Sequence, residues 1–310
     1  MPSSRAARAA PAVAVLVVIA ATLGAGCLLR PPDPAPRHAR PRPATPSPDT
    51  DVVAVTWIGH ATALIRIHDR WFLTDPVLGD RIARLYPRKV RAGIDPDHLP
   101  RLTAVLVSHA HFDHLDTPSL QRVEGDLLVV PPDLTRHLPG DLRFAQIEAV
   151  DTWQTVEVVG DHGVARITAV PARHSSARWG LDVWRDHGHT GWVIEYAGHT
   201  VYFAGDTGLD LDGARALAAR FDIDVALMPV GPAGRPRWVE RLRRHAHVTP
   251  TDALAMFAAS GAQWMVPVHF GTFFKTLDHE LPHVEAAIAA HPAGDRVRLI
   301  GIGDTTEFYY

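Results

Sequence analysis

Four side chains able to ligate a metal stand within six residues at the end of an apolar strand, and no other feature of the chain limits its fold so strongly. The run reads Leu106-Val107-Ser108-His109-Ala110-His111-Phe112-Asp113-His114-Leu115-Asp116. His109 and His111 alternate along an extended turn; Asp113 and His114 then turn toward the same cavity as the chain approaches a helix. A casual histidine tract would neither alternate with Ala and Phe nor end in Asp-His. Ligands at the C-terminal ends of strands are where open α/β layers place their chemistry. Imidazole nitrogen with carboxylate oxygen, and no sulfur, suits Zn²⁺ first, with Fe or Mn also compatible. The single cysteine, Cys27, excludes an internal disulfide and a thiolate cluster.

Three more candidates follow strands elsewhere. His174 lies in Val170-Pro171-Ala172-Arg173-His174, Asp206 in Phe203-Ala204-Gly205-Asp206-Thr207-Gly208, and His269 in Pro267-Val268-His269-Phe270-Gly271. A Gly-Asp-Thr turn alone would be read as only a turn. Joined to the first run, these positions complete a set for two metals: His109, His111, Asp113, His114, His174, Asp206 and His269. Two cations about 3.5–4 Å apart share a water and lower its pKa toward 7, which makes it a nucleophile. Eleven other histidines, His38, His68, His98, His137, His162, His187, His199, His245, His279, His283 and His291, stand in polar or turn contexts and read as surface or locally hydrogen-bonded residues.

From Asp51 onward, short apolar runs alternate with turn residues. The strands expected are Val52–Trp57, Ala63–Ile67, Trp71–Thr74, Ala104–Val107, Leu127–Val130, Val156–Val159, Ala165–Val170, Trp192–Tyr196, Val201–Ala204, Val225–Met228, Met265–Val268 and Arg298–Ile302. Helices are expected over Gly213–Phe221, after Thr249-Pro250-Thr251-Asp252, where Thr249 caps and Pro250 suits the first position, and over Leu281–Ala290. With no second linker, residues 51–310 read as one catalytic domain. Nothing in a net charge of −3 suggests a nucleic-acid-binding surface.

Residues 1–27 read as a signal peptide. Arg5 and Arg8 precede an apolar run of 12 residues, Ala12–Leu23, too short to span a bilayer. Leu23-Gly24-Ala25-Gly26-Cys27 resembles a bacterial lipoprotein processing site, although Leu23 stands one residue further from Cys27 than usual. The expectation is an exported protein, lipid-anchored in the periplasm of a bacterial envelope. Residues 28–50 are a linker: eight prolines between positions 31 and 48 leave nothing to bury. Its extended reach is about 55 Å.

The combined pattern resembles the metallo-β-lactamase superfamily and, within it, the group of phospholipases D that hydrolyse N-acyl-phosphatidylethanolamine. The resemblance is carried by Trp57-Ile58-Gly59-His60-Ala61-Thr62, Leu73-Thr74-Asp75-Pro76, the His109–Asp116 run, Pro171–His174, Phe203–Gly208, Pro236-Arg237-Trp238, His247-Val248-Thr249-Pro250 and His269-Phe270-Gly271-Thr272-Phe273. It implies an α/β fold, the four-layer αββα sandwich, with the metals at one edge between the sheets. It implies His109, His111 and His174 on one metal and Asp113, His114 and His269 on the other, bridged by Asp206. The activity implied is hydrolysis of phosphodiester bonds in a phospholipid by a metal-bridging hydroxide. Asp113 and Asp206 count there among the catalytic groups. Asp75 and His60 resemble positions that hold ligand imidazoles, though Asp75 also reads as a plain turn before Pro76. His247 is either a proton donor or substrate contact, or simply the histidine leading into the Thr249-capped helix.

Arg178, Trp179, Leu181 and Trp184 read either as a basic-aromatic patch for lipid or as core aromatics beside a rim arginine. Where the phospholipase-like members tend to carry Leu-Trp-Gly, this chain has His187-Gly188-His189-Thr190-Gly191-Trp192. Rival activities on the same scaffold are ester, lactone or lactam hydrolysis, and an iron oxidoreductase. A non-catalytic metal-binding lipoprotein is the remaining alternative. The partners expected are a small-molecule or phospholipid substrate and a membrane surface reached through the lipid anchor; relatives suggest a homodimer.

Overall fold

The computed structural model describes residues 51–83, 85–175, 178 and 188–310. The expected leader, the linker and the side chains of Trp179, Leu181, Trp184 and His187 lie outside them. Apolar runs flanked by turn residues become two sheets.

β1 (Val52–Gly59), β2 (Thr62–Ile67) and β3 (Arg70–Thr74) form an antiparallel meander. A short ribbon of β4 (Arg81–Ile82) and β5 (Tyr86–Pro87) follows. β6 (Leu102–Leu106), β7 (Glu124–Val130) and β8 (Arg143–Ala149) then add in parallel beside β3. The second sheet holds β9 (Thr155–Gly160), β10 (Gly163–Val170), β11 (Gly191–Tyr196), β12 (His199–Phe203), β13 (Val225–Pro229) and β14 (Trp264–Val268). The last strand, β15 (Thr305–Tyr309), returns to pair with β1. The strand orders are β15-β1-β2-β3-β6-β7-β8 and β14-β13-β12-β11-β10-β9.

Alternation of side chains divides the core. Val53, Val55, Trp57, Ile65, Phe72 and Leu106 face the second sheet and meet Ile167, Trp192, Ile194 and Phe203. Leu64, Leu73, Val105 and Leu128 face the other way, against Leu115, Leu120 and Leu134. Central strands covered on both faces explain why the sequence shows continuous apolar runs rather than strict alternation.

Helices close the outer faces. α1 (Thr117–Arg122) is capped by Asp116, which accepts from Ser119 N at 3.1 Å. α2 (Leu211–Ala218) is capped by Asp210 and α3 (Arg237–Arg243) follows. α4 (Pro250–Ala259) opens with a reciprocal capping box of Thr249 and Asp252, and α5 (Leu277–Ala290) contains Pro282. α4 packs on α2, α5 and β13, so the layers run α-β-β-α as expected.

Three local expectations change. Arg298–Ile302 is not a strand: Arg298 N donates to Met265 O at 2.8 Å, then the chain crosses between sheets, with Gly303 at φ +88° and its N–H on Trp57 O at 2.7 Å. The pairing passes to Thr305–Tyr309, whose polar pattern reflects an exposed edge. β8 also went unread because Arg143–Ala149 is an exposed edge strand with a weak apolar signal. α5 begins four residues before Leu281, placing Pro282 inside it.

The capping box sets one measurable quantity. Thr249→Ala removes one acceptor for the α4 amides and should cost about 1 kcal/mol. Urea unfolding followed by far-UV circular dichroism reads the loss, and an unchanged midpoint would contradict it.

Candidate metal centre

Strand ends on both sheets aim their side chains into one cleft. His109 follows β6, His174 follows β10, Asp206 follows β12 and His269 follows β14. Two close approaches fix the loops. Gly205 sits at φ +59°, and a Cβ there would lie 2.7 Å from the Ser108 Cβ. A Cβ on Gly231 would lie 2.1 Å from His269 O, so the β13 and β14 loops touch backbone to backbone. His60, Asp75 and His269 hold left-handed φ values of +56°, +34° and +65°, unusual for residues with a Cβ. Backbone strain of this kind gathers where surrounding packing enforces a functional geometry.

All seven expected ligands converge. The nitrogens of His109, His111 and His174 face one another: His109 Nε2 to His111 Nδ1 is 2.8 Å, and His174 Nε2 to His111 Nδ1 is 3.2 Å. On the other side His60, Asp113, His114 and His269 make a second group of potential donors. Asp206 lies between the two groups. Its Oδ2 is 3.4 Å from His114 Nε2 and 3.9 Å from His174 Nε2, and its Oδ1 is 3.1 Å from His269 Nε2. His247 Nδ1 stands 3.5 Å from Asp206 Oδ2, inside the same cluster.

The far side of each ring is anchored. His174 Nδ1 donates to Ala246 O at 2.7 Å, which leaves Nε2 as a lone pair facing the cleft. His114 Nδ1 donates to Asp75 Oδ2 at 2.6 Å, and Asp75 also accepts from Ser108 N and Ser108 Oγ, each at 2.6 Å. Asp75 is fully buried, so this turn carboxylate spends its acceptors on the His109 loop. His60 Nε2 bonds Asp113 Oδ2 at 3.0 Å. Glu280 of α5 accepts from Ala233 N at 2.7 Å, holding the loop after β13 against the helix.

Electrostatics split the cluster: His60, His109 and His174 are held neutral, whereas, against the cost of burial, the buried carboxylates draw His114 and His269 up. Burial holds the imidazoles of His60 and His174 down to about 3 each. Burial, with the neighbouring His114, His111 and His174, keeps His109 well below the usual range. Burial would raise Asp113 and Asp206. The histidines around them outweigh it, and both stay ionised. His114 is driven up: burial opposes its charge, but Asp206 and Asp75 on either side prevail.

The geometry fits two small cations. Tetrahedral Zn²⁺ with bonds near 2.0–2.1 Å has donor atoms about 3.3 Å apart. The spacings in the His109, His111 and His174 group fall about that value. His114 Nε2, Asp206 Oδ1 and both ring nitrogens of His269 are buried with no hydrogen-bond partner among the described residues. Such orphaned polar atoms are costly unless a cation takes them up.

Two contributors were not legible in the sequence as such. Ser108 ties Asp75 to the ligand loop, and no spacing rule marks it. Arg178 donates to Ala110 O at 2.8 Å and to Leu115 O at 2.9 Å, and its guanidinium lies 4.2 Å over the Phe112 ring. It thereby clamps both ends of the histidine loop. Downstream, Thr190 N donates to Ser108 O at 3.0 Å and His189 bridges to His109, so the stretch that departs from the phospholipase-like pattern touches the ligand loop directly.

Residues 70–270 match the β-lactamase superfamily domain. A Mycobacterium tuberculosis protein is 30% identical over 271 residues, covering 80% of this chain and 63% of that protein. The N-acyl-phosphatidylethanolamine-hydrolysing phospholipase D 1 of Caenorhabditis elegans is 29% identical over 238 residues, covering 70% of this chain and 64% of its own length. The chain thus spans a little under two thirds of the curated relatives it matches first. An isothiocyanate hydrolase from Delia radicum gut bacteria has the same fold, with a TM-score of 0.65 at 21% identity over 83% of this chain and 100% of that one. The chain belongs to the metallo-β-lactamase superfamily.

Asp75→Asn keeps the shape but weakens the acceptor for His114 and Ser108. Metal affinity should fall about 10–100-fold. Competition with a chromophoric chelator reads it, and wild-type affinity would show that Asp75 is only a turn residue.

Proposed function

We propose that this chain hydrolyses phosphodiester bonds in phospholipid-like substrates, as an envelope enzyme similar to the N-acyl-phosphatidylethanolamine-hydrolysing phospholipases D. The observation that carries the reading is an apolar groove opening beside the metal-competent cluster. It has a volume of about 640 Å³ and is lined by Ala83, Leu85, Phe112, Pro118 and Arg178 among others. Phe112, which lines the groove, stands between the ligand candidates His111 and Asp113, so the groove and the cluster share the ligand loop. Leu85, Tyr86, Phe274 and Trp238 are exposed apolar side chains. The Phe274 ring lies 6.3 Å from His60 and 5.6 Å from Tyr86, so an exposed aromatic pair adjoins the metal-competent cluster. An apolar groove of this volume with aromatic neighbours fits an amphiphile with acyl chains better than a compact lactone.

When bound, a metal pair supplies a water acidic enough to attack near neutral pH and polarises the scissile ester. His109, His111 and His174 would hold one ion; Asp113, His114 and His269 would hold the other, with Asp206 fixing their separation. Burial, with His269 and Arg243 nearby, keeps His247 down to about 4 despite Asp206. At neutral pH His247 is therefore an uncharged imidazole, suited to donating a hydrogen bond to a phosphoryl oxygen rather than delivering a full positive charge. Arg235 and Arg243 line a small cavity with His247 and Glu240, leaving positive charge in excess on that side of the cluster.

A turnover screen of metal-quantified protein tests the proposal. A chromogenic phosphodiester and an N-acyl phospholipid should be cleaved, a lactone and a lactam should not. Chelation should abolish turnover and Zn²⁺ restore it. His111→Ala and Asp206→Ala should each lose at least about a hundredfold. Cleavage of the lactone alone would replace the phosphodiesterase reading with its ester-hydrolase rival.

The leader and the proline-rich linker support a lipoprotein tethered through Cys27. Among the described residues no helix is long and apolar enough to cross a membrane. Cys27→Ser should move the protein from the membrane fraction to the soluble fraction of the expressing bacterium, and membrane retention would contradict the tether.

A further inference from the structure

We infer a third metal site, remote from the reaction centre, in which Asp51, His68 and His199 hold one divalent transition cation where the linker meets the folded body. Asp51 immediately precedes β1, His68 sits in the turn between β2 and β3, and His199 begins β12. β1 has eight residues and carries His60 past its other end; at about 3.3 Å per residue the two clusters lie roughly 26 Å apart.

The donor atoms of the three side chains lie within 4.8 Å of one another. Asp51 Oδ1 is 2.8 Å from His68 Nε2 and 3.5 Å from His199 Nε2. Those separations bracket the roughly 3.3 Å edge of a tetrahedral Zn²⁺ site. The His199 side chain is only 6% exposed, and its Nε2 is buried without a hydrogen-bond partner. That nitrogen points at Asp51, so the orphaned donor and the carboxylate face the same point.

The supports of a ligand imidazole are also in place. Asp224 Oδ2 lies 3.6 Å from His199 Nδ1, on the side of the ring away from Asp51. Asp224 is itself fixed by Thr200 N at 2.7 Å and Gln263 Nε2 at 3.1 Å. A carboxylate behind a histidine orients the ring and strengthens it as a ligand. The Tyr310 ring packs 4.8 Å from His199, and His162 packs 4.8 Å from His68. Two imidazoles and one carboxylate, with room for water beyond the exposed Asp51, suit Zn²⁺, Ni²⁺ or Cu²⁺ over Ca²⁺ or Mg²⁺. Bound there, the ion would cross-link the start of β1, the β2–β3 turn and β12, one strand from each sheet included.

Untagged full-length protein, stripped of metal and titrated with Co²⁺ and then Zn²⁺, tests the site. Wild type should take up three equivalents, the third with its own visible Co²⁺ absorption. Asp51→Asn and His68→Gln, both at the surface, should each remove that equivalent and its absorption while leaving the first two ions and turnover unchanged. Asp224→Asn should weaken the third ion about tenfold or more. Identical metal content and spectra in wild type, Asp51→Asn and His68→Gln would overturn the site and leave only a hydrogen-bonded cluster. Loss of phosphodiester turnover alone would bear on the proposed activity and not on this ion.

Discussion

Asp206 stands among histidines from four different loops, buried from water, and the rest of the site is arranged around its charge. A carboxylate in that position is expensive to bury unless positive charge or a cation compensates it. His114 and His269 supply part of that compensation in the metal-free chain. They cannot supply all of it, because several of the buried donor atoms keep no partner. A metal pair would resolve both deficits together, so ion binding and folding share one free energy here.

The rigidity of this arrangement comes from bonds on the side of each ring away from the cleft. Ala246 O fixes His174, Asp75 fixes His114, and Ser108 joins Asp75 to the start of the ligand loop. Arg178 closes the same loop from outside by taking two of its carbonyls. Each anchor decides which ring nitrogen carries the proton and therefore which one can bind a cation. Because the anchors of the rings themselves are a backbone carbonyl and the fully buried Asp75, their geometry is inherited from the two sheets.

Most of the fold was legible where a strand is covered on both faces, since continuous apolar runs such as Val225–Met228 have no other use. It was illegible at edges. Arg143–Ala149 and Thr305–Tyr309 owe their strand structure to a neighbour's hydrogen bonds, not to their own side chains, and Arg298–Ile302 has the composition of a strand but spends it on a crossing. The ligand candidates were readable because four of them share one short run and the others each follow an apolar strand. His199 was read among polar turn histidines, yet the structure buries it. Only the contact with Asp51, far away in sequence, gives it meaning. Ser108 was silent for the same reason.

The donor side chains sit on loops that leave the sheets, whereas one side of the groove wall, at Arg81, Ala83 and Leu85, belongs to the small ribbon of β4 and β5 inserted between β3 and β6. The ribbon pairs only with itself. Its Ile82 packs with Val77, Phe273 and the Phe112 of the donor loop, whereas the registers of the two large sheets run without it. The tip of the ribbon at Ala83 and Leu85 is exposed, so this stretch of the groove wall is the one free to vary without disturbing either sheet.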